Sequence, residues 1–368
     1  MYLERLQRLS RSMEQYELDA IALNAGPSLT YLTGLHFHLM ERPVVLLAAP
    51  GKEPVLILPE LEQKKLEQAS YQIDSYTYPE NPANWGAVFR QGLAKLRLAG
   101  KKIGVEPGQL RLLEFDHLSA PDGNNTFTDA SGAIASLRAV KDTSEIGAMK
   151  QAVTIAQEAL KRTLSLARIG MSEKELANEL VVQLLRQGSE PALPFSPIVS
   201  TGPNGANPHA KPSERTLATG DLLIIDWGAT FDGYVSDLTR TFGIGDVDQE
   251  YQDIHTIVQL ANKAGREAGK PGVSCKTIDN AARAVIESAG YGDRFTHRTG
   301  HGIGMECHED PYIRGDNEQI LQEGMTYTVE PGIYLEGRNG VRIEDDVVVT
   351  STGAESLSDF PRELKIIC

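Results

Sequence analysis

Apolar residues in the first third of the chain fall into short runs rather than long stripes. Ala20–Leu23, Val44–Ala48 and Val55–Leu58 are strand-length runs separated by Gly, Pro and Asn, the pattern of buried strands. Lys102–Val105 adds another. Between them the period lengthens. Leu6–Glu17 has amphipathic helical spacing, and Glu60–Ala69 and Trp85–Ala99 read as helices. His36 and His38 alternate on a predicted strand, which suits structural side chains. Strands alternating with helices predict a mostly parallel or mixed sheet, so residues 1–135 read as one α/β domain.

A turn at Pro121-Asp-Gly-Asn-Asn125 precedes a boundary that falls before Lys141, and a second domain over 140–368. Its first helix opens at Asp142, with Glu145 at capping-box spacing. Ile146, Met149, Val153, Ala156, Leu160 and Leu164 recur at helical spacing, and Gly170 ends the run. Ser172 and Glu175 repeat the capping box; Leu176, Leu180 and Leu184 follow, and Gly188 stops the helix. Beyond Pro191 come short strands and Gly-rich turns, with helices near Ile254–Ala268 and Thr277–Ala289. No internal repeat or low-complexity segment interrupts this order.

Composition narrows the function classes. With 368 residues, 41% hydrophobic and 23% charged, the chain is an ordinary globular one, long enough for two or three domains. No run approaches 18 apolar residues, so no membrane helix is expected, and the charged N-terminus has no apolar signal core. Cys275, Cys307 and Cys368 are odd in number and far apart, which suits a reducing cytoplasm. The net charge of -14 argues against a nucleic-acid partner, and most of the excess lies beyond residue 140.

The acids of the second domain are not spread at random. Leu222–Asp226 is a buried strand ending in a carboxylate, and Asp232-Gly233 is a two-residue hairpin turn. That turn pairs Phe231 with Tyr234 and Gly228 with Asp237, making Asp226 and Asp237 diagonal neighbours on one face. Gly228 has no side chain to fill the gap between them. Two carboxylates so placed are either ordinary hairpin-end acids or a cation site. Glycines bracket His301, so backbone can approach closely there, and His297, His301 and His308 fall within twelve residues. His209 stands on a loop in Asn207-Pro-His-Ala. Glu330 ends a strand at Pro331, and Glu344 opens the next after an Asn339-Gly340 turn. A two-residue turn there leaves the two glutamates on opposite faces, so a bulge near Pro331-Gly332 is expected if they act together. Alone, Glu344-Asp-Asp reads as a solvated acidic end.

Taken in order, Asp226-Trp-Gly, Ser236-Asp-Leu-Thr-Arg-Thr241, Gly300-His-Gly-Ile-Gly, His308-Glu, Glu330-Pro-Gly-Ile-Tyr and Gly340-Val-Arg-Ile-Glu-Asp resemble the pita-bread metallopeptidases. That family holds methionine aminopeptidase, Xaa-Pro aminopeptidase and Xaa-Pro dipeptidase (prolidase). The resemblance covers about residues 140–368. Tyr31-Leu-Thr-Gly34 and its surroundings are similar to the extra domain of the proline-specific branch. The implied fold is α+β: a C-terminal pita-bread (creatinase/aminopeptidase) domain behind an N-terminal α/β creatinase-like domain. The implied metal ligands are Asp226, Asp237, His301, Glu330 and Glu344, holding two divalent cations. Hard oxygen donors favour Mn²⁺, with Co²⁺ or Zn²⁺ as alternatives. The resemblance further implies a metal-bridging hydroxide attacking the carbonyl before proline, with Glu330 taking its proton. His308 and His209 would donate to the oxyanion or peptide, His297 and Arg342 would face the substrate, and Arg342 would orient substrate or Glu344. The implied partner is a small peptide with proline second, and the implied assembly a homodimer or higher homo-oligomer.

Two other classes remain. Creatinase-like hydrolases keep the fold without the metal set, and binding-module relatives lose the catalytic residues; the complete donor set argues against both. Within the peptidases, a dipeptidase must read the carboxylate of proline, typically with Arg, and Arg298, Arg314 and Arg342 are near the motifs. Tyr312 stands where some dipeptidases carry Arg, which favours an aminopeptidase. Trp85 is read as a packing side chain, with the cap of a neighbouring pocket as its alternative.

Overall fold

The computed structural model describes residues 2–119 and 124–368. Pro121–Gly123 of the expected turn therefore lie outside the described residues. The chain divides into two compact units, residues 1–138 and 139–368.

The first unit alternates helices and strands. Its elements are α1 (Tyr2–Gln15), β1 (Ala20–Asn24), α2 (Pro27–Thr33), β2 (Val45–Ala48), β3 (Val55–Pro59) and β4 (Asp74–Tyr78). After them come α3 (Trp85–Lys95), β5 (Lys102–Val105), α4 (Leu112–Ser119), β6 (Thr126–Asp129) and α5 (Ser131–Arg138). The strands form one mixed sheet in the order β4-β3-β2-β1-β5-β6. Val45, Ile57, Ile103, Phe89 and Leu93 fill its core together with Trp85. Trp85 packs 5.0 Å from Tyr78 and donates to the Pro79 carbonyl at 2.9 Å, the arrangement of a packing side chain.

Three local expectations need correction here. His36 and His38 lie in a connection outside any strand, after α2 and the turn at Gly34, whose φ is +73. Residues Glu60–Gln68 form a 3₁₀ rather than an α-helix. α3 stops short of Ala99 because Arg97 adopts φ +50.

The second unit opens with α6 (Thr143–Leu164) and α7 (Glu173–Arg186), both started by the expected capping boxes at their N-termini. α6 ends well before Gly170, where the Ser165 hydroxyl turns back to the Arg162 carbonyl at 2.6 Å. Next come β7 (Ile198–Thr201), β8 (Leu222–Trp227), β9 (Thr230–Phe231), β10 (Tyr234–Val235) and β11 (Leu238–Ile244). Helices α8 (Gln249–Ala268) and α9 (Cys275–Ser288) lead into β12 (Gly300–Gly302), β13 (Glu309–Ile313) and β14 (Thr326–Val329). The chain closes with β15 (Gly332–Leu335), β16 (Asn339–Arg342), β17 (Asp345–Val349), β18 (Ala354–Ser356) and β19 (Lys365–Ile367). One sheet runs β19-β11-β8-β7 and the other β13-β12-β14-β17-β18, with β15-β16 as a separate ribbon. α6 and α7 cover the first sheet through Val153, Leu160, Leu180 and Trp227. α8 packs beside the β15-β16 ribbon through Ile254 and Val258, against Ile333 and Val341. Among the described residues no helix is long and apolar enough to cross a membrane.

Candidate metal centre

The site begins with two hairpins. In the first, Phe231 pairs with Tyr234 and Trp227 with Leu238, as the Asp232-Gly233 turn dictates. This register sets Asp226 opposite Thr239 and makes Asp237 its diagonal neighbour. Gly228 serves another purpose than leaving room for carboxylates. A Cβ there would fall 2.0 Å from the Ser236 carbonyl oxygen and 2.7 Å from Pro194 Cγ. The glycine lets two backbones close the hairpin.

The second hairpin departs from expectation. Its turn is Glu336-Gly337-Arg338, with Asn339 and Gly340 inside β16. Leu335 pairs with Asn339, Gly332 with Arg342 and, beyond the interruption, Val329 with Asp345. One register therefore runs through both strand pairs, and it places Glu330 opposite Glu344 without any bulge. An odd three-residue loop puts on one face what a two-residue loop would have separated.

Glu344 joins the two sheets. Its backbone bridges Thr239, and the Thr239 hydroxyl donates to Glu344 Oε2 at 2.7 Å. The acidic run is not a solvated end: Glu344, Asp345 and Asp346 are all buried. Alternation sends Glu344 and Asp346 to one face and Asp345 to the other. Asp346 Oδ2 accepts the Asp237 amide at 3.1 Å. Asp345 meets Arg240 at 2.8 Å and Arg362 at 2.7 Å. Burial raises the Asp345 carboxyl, but those two guanidinium groups hold it well below the usual carboxylate range.

His301 comes from β12, flanked by Gly300, where a Cβ would fall 1.9 Å from the Thr328 carbonyl oxygen. Its Nδ1 lies 3.1 Å from the Gly302 carbonyl, which can only accept. In the neutral ring the proton is therefore on Nδ1, and Nε2 presents a lone pair to the site. Nε2 lies 3.3 Å from Glu330 Oε1 and 3.7 Å from Asp237 Oδ2.

Three donor groups result: Asp226, Asp237 and Glu344; His301, Glu330 and Glu344; and Asp237, His301 and His308. Within each, the ligand atoms all lie within 4.8 Å of one another. Electrostatics marks the same place. Burial, then the Asp226 charge, pushes the Asp237 carboxyl well up; burial, then Asp237, Glu330 and Asp226, does the same to Glu344. Burial raises Asp226 against the pull of Arg342. Burial also opposes ionisation of Glu330, but when His301 is protonated on both ring nitrogens its hydrogen bond and charge hold the carboxyl down at about 2. Asp226 Oδ1 is buried without a hydrogen-bond partner. Three carboxylates that cannot ionise together, beside a free imidazole lone pair and an orphaned oxygen, fit divalent cations. The cluster can hold two.

The other predicted residues border this cluster. Arg342 Nη2 donates to Asp226 at 2.6 Å, so its direct partner is Asp226 rather than Glu344. Its Nε reaches Thr239 Oγ1 at 3.2 Å, and Nη1 reaches Tyr334 at 3.1 Å and the Pro208 carbonyl at 3.2 Å. The Tyr334 hydroxyl then donates to His297 Nε2 at 2.8 Å, and His297 Nδ1 to the Arg298 carbonyl at 2.8 Å. Burial lowers His297, and burial is also the main cause that lowers exposed-edge His308 to about 4. The His308 ring stands edge-on to His301, centroids 4.1 Å apart. His209 is exposed on the loop after Pro208, outside the donor groups. Arg314 pairs with Asp316 on the surface, and Arg298 lies over the Tyr312 ring at 4.7 Å. Sequence reasoning missed Thr239, Arg240, Tyr334, Asp345, Asp346 and Cys307. Only the acidic run between Ile343 and Val347 carried a signal, since three acids amid apolar strand residues must be paired if buried.

Comparison with known proteins agrees with this geometry. Residues 147–351 match the family described as Metallopeptidase family M24, and residues 5–140 the Creatinase/Prolidase N-terminal domain. An Xaa-Pro dipeptidase of Lactobacillus delbrueckii subsp. lactis is 32% identical over 98% of both chains. The crystal structure of a dipeptidase from Pyrococcus horikoshii OT3 has a TM-score of 0.93 at 37% identity, covering 99% of this chain and 100% of that one. That of an X-Pro aminopeptidase from Thermotoga maritima MSB8 has a TM-score of 0.85 at 32% identity, covering 98% and 99%. The fold is an N-terminal creatinase-like domain followed along the chain by a C-terminal pita-bread domain, and the chain belongs to the M24 metallopeptidase family, in its Xaa-Pro dipeptidase and aminopeptidase branch.

Proposed function

We propose that this chain hydrolyses the bond between an N-terminal residue and a following proline, using two divalent cations held by Asp226, Asp237, His301, Glu330 and Glu344. The observation that carries the reading is the overlap of the three donor groups at Asp237, His301 and Glu344, which is what neighbouring cations require. The carboxylate-rich set supports Mn²⁺ over Co²⁺ or Zn²⁺. When bound, such cations polarise the scissile carbonyl and acidify a water. Glu330, whose Oε1 lies 3.3 Å from His301 Nε2 within the donor cluster, accepts the proton released on attack. His308, held neutral, donates an N–H to the developing oxyanion, with His209 across the loop. Arg342 orients Asp226, and together with Tyr334 and His297 it forms a fixed wall for the proline ring.

The dipeptide is the better substrate in this reading. Arg342 spends its donors on protein and Arg314 pairs at the surface, which leaves Arg298, stacked on Tyr312, to read a proline carboxylate. The proposal extends to a homo-oligomer acting in the cytoplasm, checked by light scattering and cell fractionation. The deciding assay is Mn²⁺-dependent hydrolysis of Ala-Pro beside Ala-Pro-Ala, with a chelator control. Cleavage of the dipeptide alone supports the closed, carboxylate-reading pocket. Cleavage of the tripeptide means an aminopeptidase. Cleavage of neither, with Mn²⁺ bound, overturns the reading.

A further inference from the structure

The loop that carries His209 is closed at its base by one buried carboxylate. Glu173, the first residue of α7, is 0% exposed, and the helix N-terminus there favours negative charge. Four donor groups converge on it. The Thr201 amide, at the end of β7, donates to Oε1 at 2.7 Å. The Asn204 side-chain amide donates to Oε1 at 3.1 Å and to Oε2 at 3.0 Å. The Ser213 amide reaches Oε2 at 3.0 Å and the Ser213 hydroxyl reaches it at 2.6 Å. That hydroxyl oxygen itself accepts from Asn204 Nδ2 at 3.0 Å and from the Arg215 amide at 3.1 Å, so its own proton is left for Glu173. The cations nearby in sequence are engaged elsewhere: Lys174 pairs with Glu214, and Arg215 with Asp221. Among the described residues, then, the carboxylate is satisfied by donors from both ends of the loop 201–213.

Between those ends the loop meets the proposed centre. A Cβ on Gly340 would collide with the Gly205 carbonyl oxygen, so β16 and the 3₁₀ turn Gly202–Ala206 lie backbone against backbone. The Pro208 carbonyl accepts from Arg342 Nη1 at 3.2 Å, and Arg342 Nη2 donates to Asp226 at 2.6 Å. Asn207 Oδ1 accepts the His209 amide at 3.0 Å, which fixes the His209 backbone in an Asx turn. We propose that Glu173 is a positioning residue for His209: by tying Thr201, Asn204 and Ser213 to one point, it sets where the loop holds the His209 ring. This inference rests on the reading of His209 as a donor to the substrate. A catalytic group misplaced by about 1 Å can cost about a hundredfold in rate, so a fixed loop base matters to an exposed histidine. Glu173 lies outside the metal donor groups, so its loss moves the ring and leaves the cation site.

The test is a double-mutant cycle on the Mn²⁺-loaded full-length protein, with whichever of Ala-Pro and Ala-Pro-Ala it cleaves. Glu173→Gln keeps the side-chain shape but turns one acceptor oxygen into a donor that faces other donors. It is expected to lower kcat about 10–100-fold, with KM and Mn²⁺ affinity within about threefold of wild type. His209→Ala lowers kcat by about tenfold or more, and adding Glu173→Gln to it costs less than about threefold further, because the group to be positioned is gone. Hydrogen exchange over residues 201–213 quickens in Glu173→Gln while β8 and α8 stay protected. Ser213→Ala leaves Glu173 intact and removes one donor from the far end of the loop. It gives the same pattern at smaller size and serves if Glu173→Gln does not fold. An equal loss in both backgrounds, or full kcat in a folded Glu173→Gln protein, overturns this inference alone. Full kcat in His209→Ala overturns it together with the role given to His209. Wild-type protein that binds Mn²⁺ and cleaves neither peptide overturns the proposed function on which it rests.

Discussion

Asp237, like His301 and Glu344, sits in two of the three donor groups, so its loss breaks both. Asp237→Ala is expected to lower turnover of Ala-Pro by about a thousandfold or more. Full activity in that variant would show that the ligands have been assigned wrongly. Thr239 acts one step out, through its hydrogen bond to Glu344 Oε2. Thr239→Val keeps the backbone bridge and removes that bond, so Mn²⁺ affinity is expected to drop about 10–100-fold, read by calorimetry. Away from the site, His255 on α8 is 2% exposed and its Nε2 has no hydrogen-bond partner. Burial, then the Arg240 charge, lowers it to about 4 against the opposing pull of Glu363. The unfolded chain therefore binds more protons than the folded one between about pH 4 and 6.5. His255 stabilises fully above about pH 6.5, and on the order of 2–3 kcal/mol is lost as the pH falls toward 4. Urea unfolding at several pH values should give a flatter acid limb in His255→Leu; an unchanged slope would place the acid sensitivity elsewhere.

At the scale of elements, the centre depends on close backbone approach and on hairpin register. Gly228 and Gly300 stand where a Cβ would fall 2.0 Å and 1.9 Å from a backbone oxygen, so neither neighbour can yield cheaply. Gly228→Ala is expected to cost about 1–3 kcal/mol and to weaken Mn²⁺ binding, because the hairpin must open between Asp226 and Asp237. Unfolding midpoints and metal titration together test this; a stable variant with unchanged affinity would mean that the hairpin relaxes without moving its carboxylates. The β15–β16 turn carries a parallel lesson. Its length in residues, odd or even, decides whether Glu330 and Glu344 share a face.

In the whole molecule, the metal centre stores unfavourable burial that a cation relieves. Asp237 is driven toward protonation by burial and then Asp226, and Glu344 by burial and then Asp237, so divalent cations bind the folded chain far better than the unfolded one. At about a hundredfold excess over Kd, each site adds about 2.7 kcal/mol. Scanning calorimetry should show Mn²⁺ raising the melting temperature by several degrees, with the rise reduced in Asp237→Ala. No rise in the wild-type protein would mean that the cluster is satisfied by protons alone.

Local order and motif content were legible in the sequence because they depend on neighbours along the chain. The capping boxes at Asp142 and Ser172 and the Asp232-Gly233 turn are short-range chemistry, and all formed as expected. The first hairpin's register followed from its turn alone. The second did not, because Asn339-Gly340 is an equally good turn by local rules and only the pairing of β14 with β17 excludes it. Likewise, whether Glu344-Asp-Asp meets water or Arg240 depends on β11 and the C-terminal segment folding over it, contacts about a hundred residues apart in β11. Tertiary structure also decided that Arg342 faces Asp226 and that Cys307 faces Asp237. Sequence determined which groups could do the chemistry; packing over long range decided which charges were buried together, and burial is what gives them their use.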